Sequence, residues 1–154
     1  MLRRTSRTVS LIAAIAGIAL VAGCSSADTK NDYVDTVNEI QSSALDAFNQ
    51  AANSTPANKQ AMVEQLESGE AALADAVSEL EEVEVPEEAE EGHPKLIAGI
   101  DDLRALFART AEDVQAASGT EAFTAVTALA SEGAAIGTNI DQAITEINQD
   151  LGAE

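Results

Sequence analysis

Apolar residues recur along four stretches of this chain at alternating steps of four and three. In the first they are Tyr33, Val37, Ile40, Ala44, Ala47 or Phe48, and Ala51. In the second they are Met62, Leu66, Gly69, Leu73, Ala76, Leu80 and Val83. The third shows Leu96, Ile100, Leu103, Phe107, Thr110 or Ala111, and Val114. The fourth and longest shows Phe123, Val126, Ala130, Gly133, Gly137, Ile140, Ile144, Ile147 and Leu151. This period places each set on one face of an α-helix, as in the seam of a packed bundle. The pattern predicts helices over about 31–53, 56–83, 95–117 and 120–150.

The breaks between the stretches carry helix stop and start signals. Asn53-Ser54-Thr55-Pro56 ends the first helix, and Thr55 is placed to cap the second with Pro56 in its first turn. Ser118-Gly119-Thr120-Glu121 offers Gly119 as a C-terminal cap and a capping box of Ser118 with Glu121. Both connections are short, so each joins antiparallel neighbours. The middle connection, 84–94, is longer and holds Pro86, Gly92, Pro94 and a run of glutamates. The expected fold is all-α, an up-down-up-down four-helix bundle made of two hairpins, spanning 31–151.

A different pattern precedes the helices. Met1 to Thr8 carries Arg3, Arg4 and Arg7 and no acid, and Val9 to Val21 is almost purely apolar. About thirteen apolar residues suit the core of an export signal and are too few to span a bilayer. Leu20-Val21-Ala22-Gly23-Cys24 then resembles the lipobox of bacterial lipoproteins: an apolar residue, two small ones, and the chain's only cysteine. The resemblance covers residues 1–24 and implies a cleaved signal peptide (1–23), cut between Gly23 and Cys24. It implies lipidation of Cys24 by a diacylglyceryl group on its sulfur, and localisation on the extracytoplasmic face of the cell membrane. Two acyl chains, at ~0.8 kcal/mol per buried CH₂, anchor stably where one is marginal. Arg3-Arg4 also raises a twin-arginine export route, although Thr5-Ser6-Arg7 lacks the apolar residues such signals carry. With Cys24, residues 25–30 are small and polar and read as a flexible tether (24–30), reaching at most about 20 Å at ~3.3 Å per residue. In composition, the remainder resembles small alanine-rich lipoproteins of actinobacterial envelopes.

Charge narrows the partners. After Cys24 the chain carries 5 basic and 27 acidic residues, a net charge of −22 against −19 for the whole. Such a surface repels nucleic acid and anionic head groups, and keeps an alanine-rich domain in solution. A single cysteine permits no internal disulfide, so the core must hold the fold. With no tryptophan and 3 % aromatics, that core is aliphatic.

Candidate chemistry is sparse. Glu90-Glu91-Gly92-His93 has the Glu-x-x-His spacing of di-iron bundles, but the chain has one histidine, flanked by Gly92 and Pro94. No metal site and no cofactor are therefore expected. Glu87, Glu88, Glu90 and Glu91 are the residues through which the loop would bind a divalent cation weakly, without EF-hand spacing. His93 otherwise serves to start the third helix. No Gly-x-Ser-x-Gly, P-loop or Gly-x-Gly-x-x-Gly occurs, and 1 Tyr with 3 Phe line no sugar cleft. The chain is expected not to be an enzyme.

Two features of the fourth helix bear on function. Gly133 and Gly137 lie on its seam, where glycine costs ~1 kcal/mol against alanine. They read as a close helix approach or a notch filled by a bulky partner such as Phe48 or Phe107; the alternative is a ligand groove. Leu129 and Ile136, extended by Ala122 and Ala143, form a second apolar stripe that either widens the buried face or is an interface. The leading expectation is an anchored, non-catalytic envelope module that docks on another envelope protein. The alternative is a ligand or cation carrier using the 84–94 loop or the Gly133/Gly137 notch.

Overall fold

The computed structural model describes residues 26–53, 56–118 and 120–152. The lipobox, Gly23 and Cys24, the Thr55 cap and the Gly119 cap lie outside the described residues. So do the side chains of Ala47 and Ala51.

The described chain is all-helical, with four helices compatible with a bundle. They are α1 (Ser26–Asn53), α2 (Lys59–Glu82), α3 (His93–Ala116) and α4 (Thr120–Leu151). A single turn of 3₁₀ helix, Glu87–Ala89, lies in the connection between α2 and α3. Three boundaries differ from the sequence reading. α1 starts at Ser26, so the expected tether is helical over 26–30. Asn58 caps α2, its side chain accepting from the Ala61 N–H at 2.9 Å, and Pro56 precedes the helix. An asparagine side chain there satisfies one of the four free N–H groups of the first turn. α3 starts at His93 with Pro94 in its first turn, where proline's preset φ helps and its missing N–H costs nothing.

Other ends are closed by side chains and by a glycine turn. Glu121 accepts from the Ser118 backbone N–H at 3.3 Å and from its hydroxyl at 3.1 Å, giving the backward half of a capping box. Gly152, at φ +75°, closes α4, its N–H donating to the Gln149 carbonyl at 3.1 Å. Lys59 Nζ donates to the Gln115 carbonyl at 2.8 Å and the Ala117 carbonyl at 3.3 Å, placing a cation at the negative end of α3.

The core follows the seams of α1 to α3. Tyr33, Val37, Ile40 and Ala44 are buried, as are Leu66, Leu73, Ala76 and Leu80, and Leu96, Ile100, Leu103, Phe107, Ala111 and Val114. Thr110 is buried as well, because its hydroxyl bonds back to the Leu106 carbonyl at 2.7 Å. Large and small residues interlock. A Cβ on Gly69 would stand 2.6 Å from Cδ1 of the fully buried Phe107, and one on Gly99 would stand 2.7 Å from Cγ1 of Ile140.

α4 corrects the predicted seam. Phe123 is 74 % exposed and Ala130 is exposed, whereas Ala122, Leu129, Ala143 and Ile147 are buried and Ile136 is half-buried. The packed face therefore draws on both stripes: Gly133 and Ile147 of the predicted seam are buried beside Ala122, Leu129 and Ala143, so the second stripe widens the buried face. Both stripes have helical period, so sequence alone does not set how wide the buried face is; tertiary packing does. Gly133, Ile140 and Ile144 lie on the side of α4 towards α1.

Candidate functional site

Backbone contacts are extensive between α1 and α2, α2 and α3, and α3 and α4, and slight between α1 and α4. The gap between those two helices is a half-open groove with a cavity of about 240 Å³. Gln41, Ala44, Leu45 and Phe48 of α1 form one wall. Gly133, Gly137, Ile140 and Ile144 of α4 form the other, with Ile100 and Leu103 of α3 as the floor. Ala134, Thr138 and Asp141 complete the α4 side.

The two seam glycines play different parts in it. A Cβ on Gly133 would meet Phe48 Cε2 at 3.2 Å, so Phe48 fills that notch. Phe48 is held there against the Phe107 ring, centroids 6.1 Å apart and planes at 58°, within the range of favourable tilted aromatic pairs. A Cβ on Gly137 would meet nothing within 4 Å. The filled-notch expectation therefore holds at Gly133, and at Gly137 the helix wall faces open space.

Gln41 is a polar group of the groove that lies off the predicted α1 seam. It is only 8 % exposed, lines the groove, and its Nε2 has no hydrogen-bond partner. A buried donor left unpaired costs about 1–3 kcal/mol. Its sequence signal is Val34, Gln41 and Phe48, spaced by seven beside the α1 seam. A glutamine between two apolar residues on such a line departs from the pattern around it. Asn148 Oδ1 is also buried without a partner, but Asn148 does not line the groove.

The acidic loop gives a different picture. Glu87, Glu88, Glu90 and Glu91 are all exposed around the 3₁₀ turn. Glu88 pairs with Lys30 at 2.6 Å, and this bond holds its carboxyl below the usual carboxylate range. Among the described residues no three of His, Cys, Asp or Glu converge as metal ligands.

His93 is buried, 6 % exposed, between three helices. Its Nε2 lies 3.0 Å from the Leu80 carbonyl, which can only accept, so Nε2 carries the proton. Nδ1 is then an acceptor, and the Tyr33 hydroxyl donates to it at 3.0 Å. Both ring nitrogens are engaged, leaving none for a metal. Burial lowers the His93 pKa and pushes the Tyr33 hydroxyl up to about 12. The carbonyl of Leu80 belongs to the last turn of α2, where helix carbonyls lack internal partners. The histidine thus ties the end of α2 to the start of α3 and, through Tyr33, to α1.

No helix among the described residues is long and apolar enough to cross a membrane. Comparison of the chain with family models, curated proteins and solved structures finds no match.

Proposed function

We propose that this chain is a lipid-anchored, non-catalytic binding protein of the cell envelope, whose ligand occupies the groove between α1 and α4. In this reading residues 1–23 are a signal peptide, cut between Gly23 and Cys24, and acylated Cys24 is the anchor on the extracytoplasmic face. The lipobox resemblance supports the anchor. The start of α1 at Ser26, two residues beyond Cys24, would leave little tether between such an anchor and the helices. The reading takes the fold as an up-down-up-down bundle, which the end-to-end contacts support. Lys59 at the start of α2 bonds to the end of α3, and Lys95 near the start of α3 pairs with Glu146 near the end of α4.

The observation that carries the binding reading is the α1–α4 groove, walled by apolar side chains and open where Gly137 lacks a side chain. Concave, mainly apolar sites with a few polar groups are the usual form of small-ligand sites. Docking on a second envelope protein through the Leu129/Ile136 stripe loses its support, because Leu129 and Ala143 are buried within the fold. Docking keeps one favourable observation, the 74 % exposure of Phe123 at the start of α4.

Native mass spectrometry of the protein extracted from its own membranes in mild detergent tests the proposal. The expected mass is residues 24–154 plus acyl groups, with a further non-covalent organic mass that Gly137→Leu removes. A mass without acyl groups would overturn the anchor. An acylated protein with no further mass in any preparation would overturn the carrier.

A further inference from the structure

We infer that the groove takes an uncharged ligand with an apolar body and a hydrogen-bond acceptor of the ester or amide carbonyl kind, and that Gln41 is the residue that recognises it. The inference rests on the binding reading above and deepens it.

The argument starts from the unpaired donor. Gln41 Nε2 is the one side-chain nitrogen, among the described residues, found buried without a partner, and its residue lines the cavity. An amide N–H donates, so the group that completes it is an acceptor. The other lining groups fix the rest of the ligand. Leu45, Phe48, Ile140 and Ile144 present hydrocarbon, and hydrocarbon is what they would desolvate favourably. A cavity of about 240 Å³ holds roughly eight groups of water size, at ~30 Å³ each. That is a short alkyl or small-ring segment, with the remainder of a larger molecule leaving through the open side.

Charge decides against an ionic ligand. No Lys, Arg or His lines the groove, while Asp141 does. A carboxylate or phosphate there would be desolvated without a counter-ion and would meet both Asp141 and the negative field of the chain. A cation would be held away from water by hydrocarbon on most sides, with one exposed carboxylate to answer it. A neutral carbonyl incurs neither cost and accepts the bond Gln41 offers.

Three photoreactive probes test this on the full chain in phosphatidylcholine vesicles. They are methyl decanoate, decanoate and decane, each carrying the same mid-chain diazirine. Labelled positions are read by peptide mass spectrometry, so partitioning into lipid does not mimic binding. The ester is expected to label α1 and α4 at Leu45, Ile140 or Ile144, and the free acid to label them far less. Gln41→Leu is expected to reduce subsaturating ester labelling about three- to tenfold, the value of one hydrogen bond, and to leave decane labelling unchanged. Gly137→Leu is expected to remove labelling by all three, and circular dichroism melts confirm that both variants fold. Gln41→Leu removes the unpaired donor without adding bulk to the α4 wall, so it stands as a test even if the larger residue at 137 disturbs the helix. Equal labelling by acid and ester, or indifference of the ester to Gln41→Leu, would overturn the ligand class and leave the groove as a binding site. Failure of every probe to label the groove would overturn both.

Discussion

Replacing Tyr33 by Phe takes one oxygen atom out of the fold and leaves its volume nearly intact. The lost hydroxyl is the donor to His93 Nδ1 at 3.0 Å, and both residues are buried, at 1 % and 6 % exposure. Nδ1 cannot recover by switching tautomer, because the ring proton is held on Nε2 by the Leu80 carbonyl. The variant therefore pays for an unpaired buried acceptor, about 1–3 kcal/mol. In a domain of this size that lowers Tm by roughly 3–4 °C per kcal/mol. Urea unfolding followed by helical circular dichroism at pH 8 measures it. The same bonds set a pH dependence. Burial lowers the His93 pKa below its ordinary value of 6.5 in the folded state. Well above 6.5 the ring is neutral in both states and its contribution is complete. As pH falls below 6.5 the unfolded chain takes up the proton first, and stability is lost until the folded pKa is passed. The wild-type chain is thus expected to lose more stability between pH 8 and 5.5 than His93→Gln, which has no ring to titrate. Glu88 and Glu146 do not confuse the comparison. Lys30 and Lys95 hold both below 4.5, so their stabilisation is lost only at more acid pH. A Tyr33→Phe effect below about 0.3 kcal/mol at pH 8, well under one net hydrogen bond, would refute the bonding scheme. Equal pH losses in wild type and His93→Gln would refute the titration argument.

Other outcomes follow from the same geometry. Gly69→Val is expected to destabilise by about 1–3 kcal/mol, because its new atoms meet the fully buried Phe107 ring. Gly137→Ala is expected to stabilise by about 0.5–1 kcal/mol, since the methyl meets nothing and helix propensity improves; paired urea melts with opposite signs check both. Cys24→Ser is expected to release the protein from the membrane fraction, read by fractionation and by loss of acyl mass; full retention would remove the anchor. Converting Glu87, Glu90 and Glu91 to Gln is expected to leave ester labelling of the groove unchanged, and a calcium-dependent Tm shift in wild type that these changes abolish would restore the loop as a cation site.

The periodicity of the chain determined four helices and most of the core. Burial of apolar surface requires one face per helix, and on α1, α2 and α3 only one face qualifies. The capping pair Ser118 and Glu121 was readable for the same local reason: its atoms are three residues apart. The packed face of α4 is not decided by its sequence, because the helix carries two apolar stripes and only tertiary packing buries Ala122, Leu129 and Ala143 while leaving Phe123 and Ala130 exposed. The seam glycines were visible as an anomaly in the pattern. That Phe48 fills one and nothing fills the other depends on how far α1 stands from α4. Tyr33 and His93 are 60 residues apart, and their bond exists only once three helices have met. Gln41 stands out in the sequence only as a polar residue between Val34 and Phe48; the tertiary structure makes it significant by burying it against the groove with no group to accept from its Nε2.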